Sequence, residues 1–307
     1  MTKPAKAALQ ALFVTLLWSS SWVLIKVGLN SIPALTFAGL RYSLAFVFLL
    51  PFMLFRKRRE GLRTLTRRDW WMLILLGLVY YTITQGAQFL ALSNLPANTL
   101  SLILAFSAVT IALTGRLFLD EKLFPLQWVG VIISMVGAIV YFGNVEIYSL
   151  TGLAVGAIGL LANTGAAALG RGINRSARIS PILVTTVSMG VGSFLLLAAG
   201  LLSEPWPALS SRDALLIAWL AAVNTALAFS LWNLTLQTLT AAQSGVINNT
   251  MLIQIAVLAW IFLDERLSWV QIAGLLTVAL GTLIVQVRPG RSKTTNIAEP
   301  ITHQSTN

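Results

Sequence analysis

Phe118-Leu119-Asp120-Glu121-Lys122-Leu123 returns as Phe262-Leu263-Asp264-Glu265-Arg266-Leu267, an offset of 144 residues (118 to 262). The register holds beyond the motif: Gln127 falls on Gln271, Gly130 on Gly274 and Gly137 on Gly281. In a chain of 307 residues, little longer than two such periods, these coincidences mark a duplicated half. The units expected are residues 1–143 and 144–287. Residues 288–307 are polar, contain Pro and Thr, and lack apolar periodicity, so they read as a disordered cytoplasmic tail.

Composition places the halves in a bilayer. Hydrophobic residues make up 57% of the chain and charged residues 10%, with a mean hydropathy of +0.81. A soluble domain carries roughly a quarter charged residues. The net charge of +11 does not point to nucleic acid, because the basic residues lie between apolar segments and form no basic face. There is no cysteine, and the single histidine, His303, lies in the tail. No HExxH or GxSxG motif occurs, and no aspartate pair lies within an apolar segment, so an enzyme lacks its usual reactive groups and no metal or other cofactor is called for. Lys3 and Lys6 precede an apolar run of about 20 residues without a small-residue cleavage site, which reads as an uncleaved first span.

Ten apolar segments can be marked, at about 7–29, 34–55, 70–93, 97–118, 124–143, 149–170, 180–202, 213–236, 240–263 and 268–287, each near the ~17–25 residues a spanning helix needs. Long apolar runs, not ten-residue alternations, favour helices over strands. With the N-terminus inside, 17 of the 21 basic residues fall on the cytoplasmic side, Arg56-Lys57-Arg58-Arg59 among them. Only Arg212 and Arg266 lie outside, and Lys26 and Arg41 lie within spans. Both termini are therefore predicted to be cytoplasmic. Five spans per half make the second half enter upside down. The fold class expected is an all-α polytopic membrane protein of ten transmembrane helices in two inverted five-helix repeats.

All ten acidic residues fall in loops, tails or turns. Without a carboxylate at mid-span, coupling to protons or sodium lacks its common device, which favours facilitated movement. Lys26 and Arg41 sit towards the outer ends of their segments. Three readings are open for them: a headgroup anchor, a helix-to-helix hydrogen bond, or a cation that attracts a substrate carboxylate. Arg116 stands one turn before Asp120 and reads as its local partner.

The third segment carries Tyr81, Thr84, Gln85 and Gln88 on one helical face, which must meet protein or water and not lipid. Trp18 and Ser19 in the first segment, Asn163 in the sixth, Asn224 and Trp232 in the eighth, and Ser244 and Asn248 in the ninth complete the candidate lining. For each, interhelical bonding competes with a cavity role, and Trp18 and Trp232 suit either ligand stacking or lipid-facing packing. The site is expected among segments 1, 3, 4, 6, 8 and 9, with 5 and 10 behind. Glycines seven apart in segments 5 and 10, and Gly152 with Gly156 in segment 6, predict close packing. Proline stays at segment ends, so no proline hinge is expected at mid-span.

Trp18-Ser19-Ser20-Ser21 with Lys26 in the first segment, Phe37-xxx-Arg41-xxx-Ala45 in the second, and the Glu121 and Glu265 turns each followed by a Gly-spaced last segment resemble the EamA-type branch of the drug/metabolite transporter superfamily. The resemblance covers residues 7–287 and is closest to bacterial exporters of aromatic and other amino acids. It implies a multi-pass protein of the bacterial inner membrane, a central cavity between the halves and alternating access. It also implies that Lys26 and Arg41, as members of a family-wide pattern, serve fold or orientation and do not select substrate. The expected function is export of amino acids or related small metabolites, with the bilayer and a small-molecule substrate as partners. A monomer is compatible with this reading. Export of cationic drugs or other metabolites is the alternative, and a membrane enzyme or scaffold a remote one.

Overall fold

The computed structural model describes residues 3–53, 55, 61–107, 109–110, 124–142, 149–175, 178–235, 238–239 and 241–286. The first copy of the repeated turn, its Arg116–Asp120 pairing, and the tail 288–307 lie outside the described residues. Regular structure among the described residues is helical throughout. α1 spans Lys3–Gly28 and α2 Ala34–Met53. α3 is α-helical over Arg67–Leu76, π-helical over Gly77–Thr84 and α-helical again over Gln85–Asn94. α4 spans Ala97–Ala105, α5 Pro125–Phe142, α6 Leu150–Arg175 and α7 Pro181–Ser203. α8 repeats the pattern of α3, with Ser211–Ala221, a π-helical Ala222–Leu227, and Ala228–Thr235. α9 spans Ala241–Leu263 and α10 Trp269–Gln286.

Six helical stretches are long and apolar enough to cross a membrane: Ala5–Gly28, Ala34–Met53, Arg67–Asn94, Leu150–Gly170, Pro181–Ser203 and Ser211–Trp232. Pro125–Tyr141, Thr250–Leu263 and Trp269–Ile284 are apolar but shorter. Trp71, Trp206 and Trp269 lie exposed near helix ends, as belt residues do.

Four helix starts, those of α2, α3, α4 and α8, are capped by carboxylates. Thr66 and Asp69 form a reciprocal capping box on α3, and Ser210 and Asp213, their counterparts at the 144-residue offset, form the same box on α8. The other two are capped from a distance. Glu204 accepts hydrogen bonds from the N–H groups of Leu35 (2.9 Å) and Thr36 (2.7 Å) at the head of α2. Glu265, in the second repeated turn, accepts from Ala97 N (2.9 Å) and Asn98 N (3.2 Å) at the head of α4. A carboxylate there satisfies orphan donors and meets the positive end of the helix dipole. The second copy of the turn therefore ties the α9–α10 pair to α4.

Small residues bring helices together. α5 packs most extensively against α10, and α2 against α7. α1 lies along α9 and α8, while α6 lies along α4 and α3. In the α5–α10 seam a Cβ on Gly137 would fall 2.6 Å from Val278 N, and one on Gly274 2.7 Å from Tyr141 N. Gly152 and Gly156 admit Leu95, Leu100 and Ile103. The backbone shows the expected close glycine packing, and it adds that helices 5 and 10 pair with each other.

Replacing Gly137 by Leu should destabilise the seam by about 1–3 kcal/mol through overpacking. Gly165→Ala, where a Cβ would meet only Val79 Cγ1 at 3.8 Å, serves as control. Thermal unfolding in detergent decides: equal melting temperatures for the two variants would contradict a tight seam.

Candidate functional site

Four helices meet around a chain of aromatic rings. From α2, Tyr42 lies 5.7 Å from Tyr81 of α3, whose neighbour Tyr80 stands 4.9 Å away. Tyr80 and Tyr81 lie 6.1 and 6.2 Å from Phe229 of α8. Phe229 is 5.2 Å from Trp18 of α1, and Trp18 is 5.1 Å from Trp232 of α8. Edge and tilted contacts of this kind add to burial. Trp18, Tyr42, Tyr80 and Asn224 each lie close to the middle of their helices.

The π-helical segments shape this region. A π-turn widens the helix and leaves carbonyls without regular partners, often at functional sites. Thr84 Oγ1 donates to Val79 O (2.8 Å) and Thr225 Oγ1 to Leu220 O (2.9 Å), so a hydroxyl closes each widened turn. Thr225 Oγ1 also accepts from Arg41 Nε (2.9 Å), and Asn224 O accepts from Arg41 Nη2 (3.4 Å). The Arg41 guanidinium lies 5.3 Å from the centre of the Tyr42 ring and 6.0 Å from that of Phe89.

Arg41 is thus no headgroup anchor: it is 3% exposed and bonded to α8. Lys26 likewise makes helix-to-helix bonds, its Nζ donating to Leu92 O and Leu95 O at 2.7 Å each, at the end of α3. A cation there complements the negative end of the dipole.

The predicted lining divides. Trp18, Tyr81 and Trp232 join the ring chain, and Asn224 bonds to Ser20, two residues after Trp18 on α1. Gln85 borders it, accepting from Tyr42 Oη at 2.6 Å. Thr84 is spent on the π-turn. Gln88 is half-buried and makes no hydrogen bond among the described residues. Ser19 belongs to an α1–α9 network: it donates to Gln254 Oε1 (2.9 Å), while Gln254 Nε2 donates to Thr15 (3.2 Å) and Thr250 (3.1 Å). Asn163 donates to Ser107 Oγ (3.1 Å), in a separate contact of α6 with the chain following α4. Asn248 is exposed and outside the cluster, and the Ser244 side chain lies outside what the structure describes.

Helix α2 was missing from the expected lining, although it supplies Arg41 and Tyr42. The signal was present, since a charged residue and a phenol stand side by side within an otherwise apolar run.

Two polar atoms beside the rings are buried without a partner among the described residues: Trp18 Nε1 and Asn224 Oδ1. Asn224 Nδ2 is satisfied, donating to Leu17 O and to Ser20 Oγ (3.2 Å). The other such atoms, both side-chain atoms of Asn98 and Ser134 Oγ, lie at the start of α4 and within α5. A groove of about 700 Å³ between α2, α3 and α7 is distinct from the cluster. It is lined by apolar groups such as Phe46, Leu50 and Phe194, of which Phe194 and Leu50 are exposed.

A helical membrane protein with a buried polar and aromatic centre has the build of a small-molecule carrier. The chain matches the EamA-like transporter family over residues 5–143 and 150–287 and belongs to that family. It is 28% identical over 305 residues to a Bacillus subtilis protein called "Uncharacterized transporter YvbV", spanning 94% of each chain. It is 25% identical over 295 residues to an Escherichia coli protein called "Probable amino-acid metabolite efflux pump", spanning 91% of this chain and 94% of the relative. A solved crystal structure shares the fold, with a TM-score of 0.68 and 19% identity over 91% of this chain and 97% of the other.

Tyr42→Phe should strand Gln85 Oε1 in the interior and cost about 1–3 kcal/mol. Gln88→Ala removes no such bond and should change stability by no more than about 0.5 kcal/mol. If thermal unfolding shows Gln88→Ala falling as far as Tyr42→Phe, Gln88 is interhelical glue.

Proposed function

We propose that the protein is an inner-membrane exporter of amino acids or related small metabolites, working by alternating access. The observation that carries this reading is the ring chain at mid-helix, with a buried cation and unpaired amide and indole atoms beside it. Lipid-facing helices have no use for such groups, whereas a zwitterion with a variable side chain offers partners for all of them. The name of the Escherichia coli relative supports the substrate class.

Ten transmembrane helices in two inverted five-helix halves, 1–143 and 144–287 with both termini cytoplasmic, suit this mechanism. Three recurrences support the duplication: the capping boxes of α3 and α8, their π-helical segments, and helix contacts that repeat five helices on. In the last of these, α1 along α8 and α9 has its counterpart in α6 along α3 and α4. Movement is facilitated and not driven through a membrane carboxylate. Among the described residues, Asp69, Glu204, Asp213 and Glu265 serve helix starts, while Asp264 pairs with Arg266 at 3.0 Å in an exposed turn.

Counterflow in proteoliposomes tests this. Labelled phenylalanine, tryptophan, threonine or methionine should exchange against unlabelled amino acid, with a rate unchanged by an imposed pH gradient. No exchange of any of the four by folded protein would sink the amino-acid reading, and strong dependence on the gradient would sink the uncoupled one. Tyr81→Ala and Gln88→Ala should lower flux while the protein remains monodisperse; lost folding with no specific loss of flux would mark a scaffold.

A further inference from the structure

Arg41 is a buried guanidinium without a carboxylate partner among the described residues. Asp69 is held by Arg178 at 2.6 Å and Asp264 by Arg266, while Glu204, Asp213 and Glu265 are engaged at helix starts. Arg41 is held by neutral groups alone, the Thr225 hydroxyl and the Asn224 carbonyl. Those bonds use two of the roughly five N–H donors a guanidinium carries. A desolvated charge left without a counter-charge is costly, and more so within a bilayer. The next side chain is also incomplete: Asn224 is 0% exposed, its Nδ2 is spent on α1, and its Oδ1 has no partner. A cation of α2 with donors to spare and an acceptor of α8 with none to accept from meet at one turn of α8, and Arg41 stands beside Tyr42, where the ring chain through Tyr81 and Phe229 to Trp18 begins.

We propose that Arg41 and Asn224 are the two ends of a zwitterion receptor: Arg41 takes the substrate's carboxylate, Asn224 Oδ1 takes its ammonium group, and the rings of Tyr81, Phe229 and Trp18 take its side chain. This rests on the exporter reading above and names the substrate class, a molecule with a free carboxylate and a free ammonium on one carbon. Planar N–H donors suit a carboxylate, and an amide oxygen suits an ammonium ion. A decarboxylated amine or a cationic dye brings a second positive charge to the guanidinium with nothing to offset it, so the site selects against them.

The test uses the full chain in proteoliposomes. The amino acid that exchanges best among the four above is compared with its carboxamide, its decarboxylated amine and its N-acetyl derivative. Each analogue should exchange at least about fivefold more slowly, because each leaves a buried partner unpaired. Any analogue above that limit overturns the receptor but leaves amino-acid export standing; no exchange of any amino acid overturns both. Arg41→Gln, checked for monodispersity, should lose the preference for the amino acid over its carboxamide. A merely structural Arg41 would slow both substrates alike, and an unchanged ratio overturns the assignment. Should that variant fail to fold, the wild-type comparison decides.

Discussion

A backbone N–H or C=O in hydrocarbon has no water to fall back on, so the protein must supply every partner itself. The architecture follows from that constraint. Within helices the ladder does the work, and difficulties arise only where it stops or is interrupted. At the starts the chain brings in carboxylates, locally in the boxes of α3 and α8 and from remote loops for α2 and α4. At the end of α3 it brings in the ammonium of Lys26. Each of these charges supports a helix terminus, so the acids named here are structural.

The interruptions are the π-helical segments of α3 and α8. Thr84 and Thr225 close them with side-chain hydroxyls. In α8 the remaining carbonyl and the same hydroxyl become the seat of Arg41. An irregular backbone is tolerated at depth where it is buried in protein or lines a cavity, and here it turns backbone polarity inward, towards the rings.

Much of this was legible in the sequence. The 144-residue offset, taken from a six-residue turn, also relates Thr66 and Asp69 to Ser210 and Asp213, and so the two capping boxes. The seven-residue glycine spacing announced close packing but not its partner, and the structure supplies it: only a missing Cβ allows Gly137 and Gly274 so close. Tyr81 was recognisable because it shares a helical face with Thr84, Gln85 and Gln88, whereas for Trp18 stacking and lipid-facing packing stayed open. Ser19 could not be resolved, because its partner Gln254 lies 235 residues away and a hydroxyl looks the same in a network as in a cavity. The π-helices left no periodic signal, since a widened turn depends on tertiary contact, here the close approach of Gly77 to Ser188 and Gly192. For Arg41 the sequence left an anchor, a helix-to-helix bond and a substrate cation open, and the contact with α8 that removes the first is made by residues 184 and 183 positions away.

Neutral seating of Arg41 has a consequence for transport. A guanidinium locked to a protein carboxylate would be quenched, and a substrate would have to compete with a permanent partner. A guanidinium held by a hydroxyl and a carbonyl keeps its position and its charge, because neither acceptor cancels it. The pre-placed cation spares the substrate part of the ordering cost of binding. In the proposed receptor neutral groups would also limit how tightly a zwitterion is held, since its ammonium would meet an amide and not a carboxylate. A carrier needs both properties, because a site that binds too firmly on one side of the membrane cannot release on the other. The proposed receptor fits the placement of Asp69, Glu204, Asp213 and Glu265 at helix starts: there the carboxylates stabilise the scaffold, and at the centre they would hold a substrate's ammonium group too firmly.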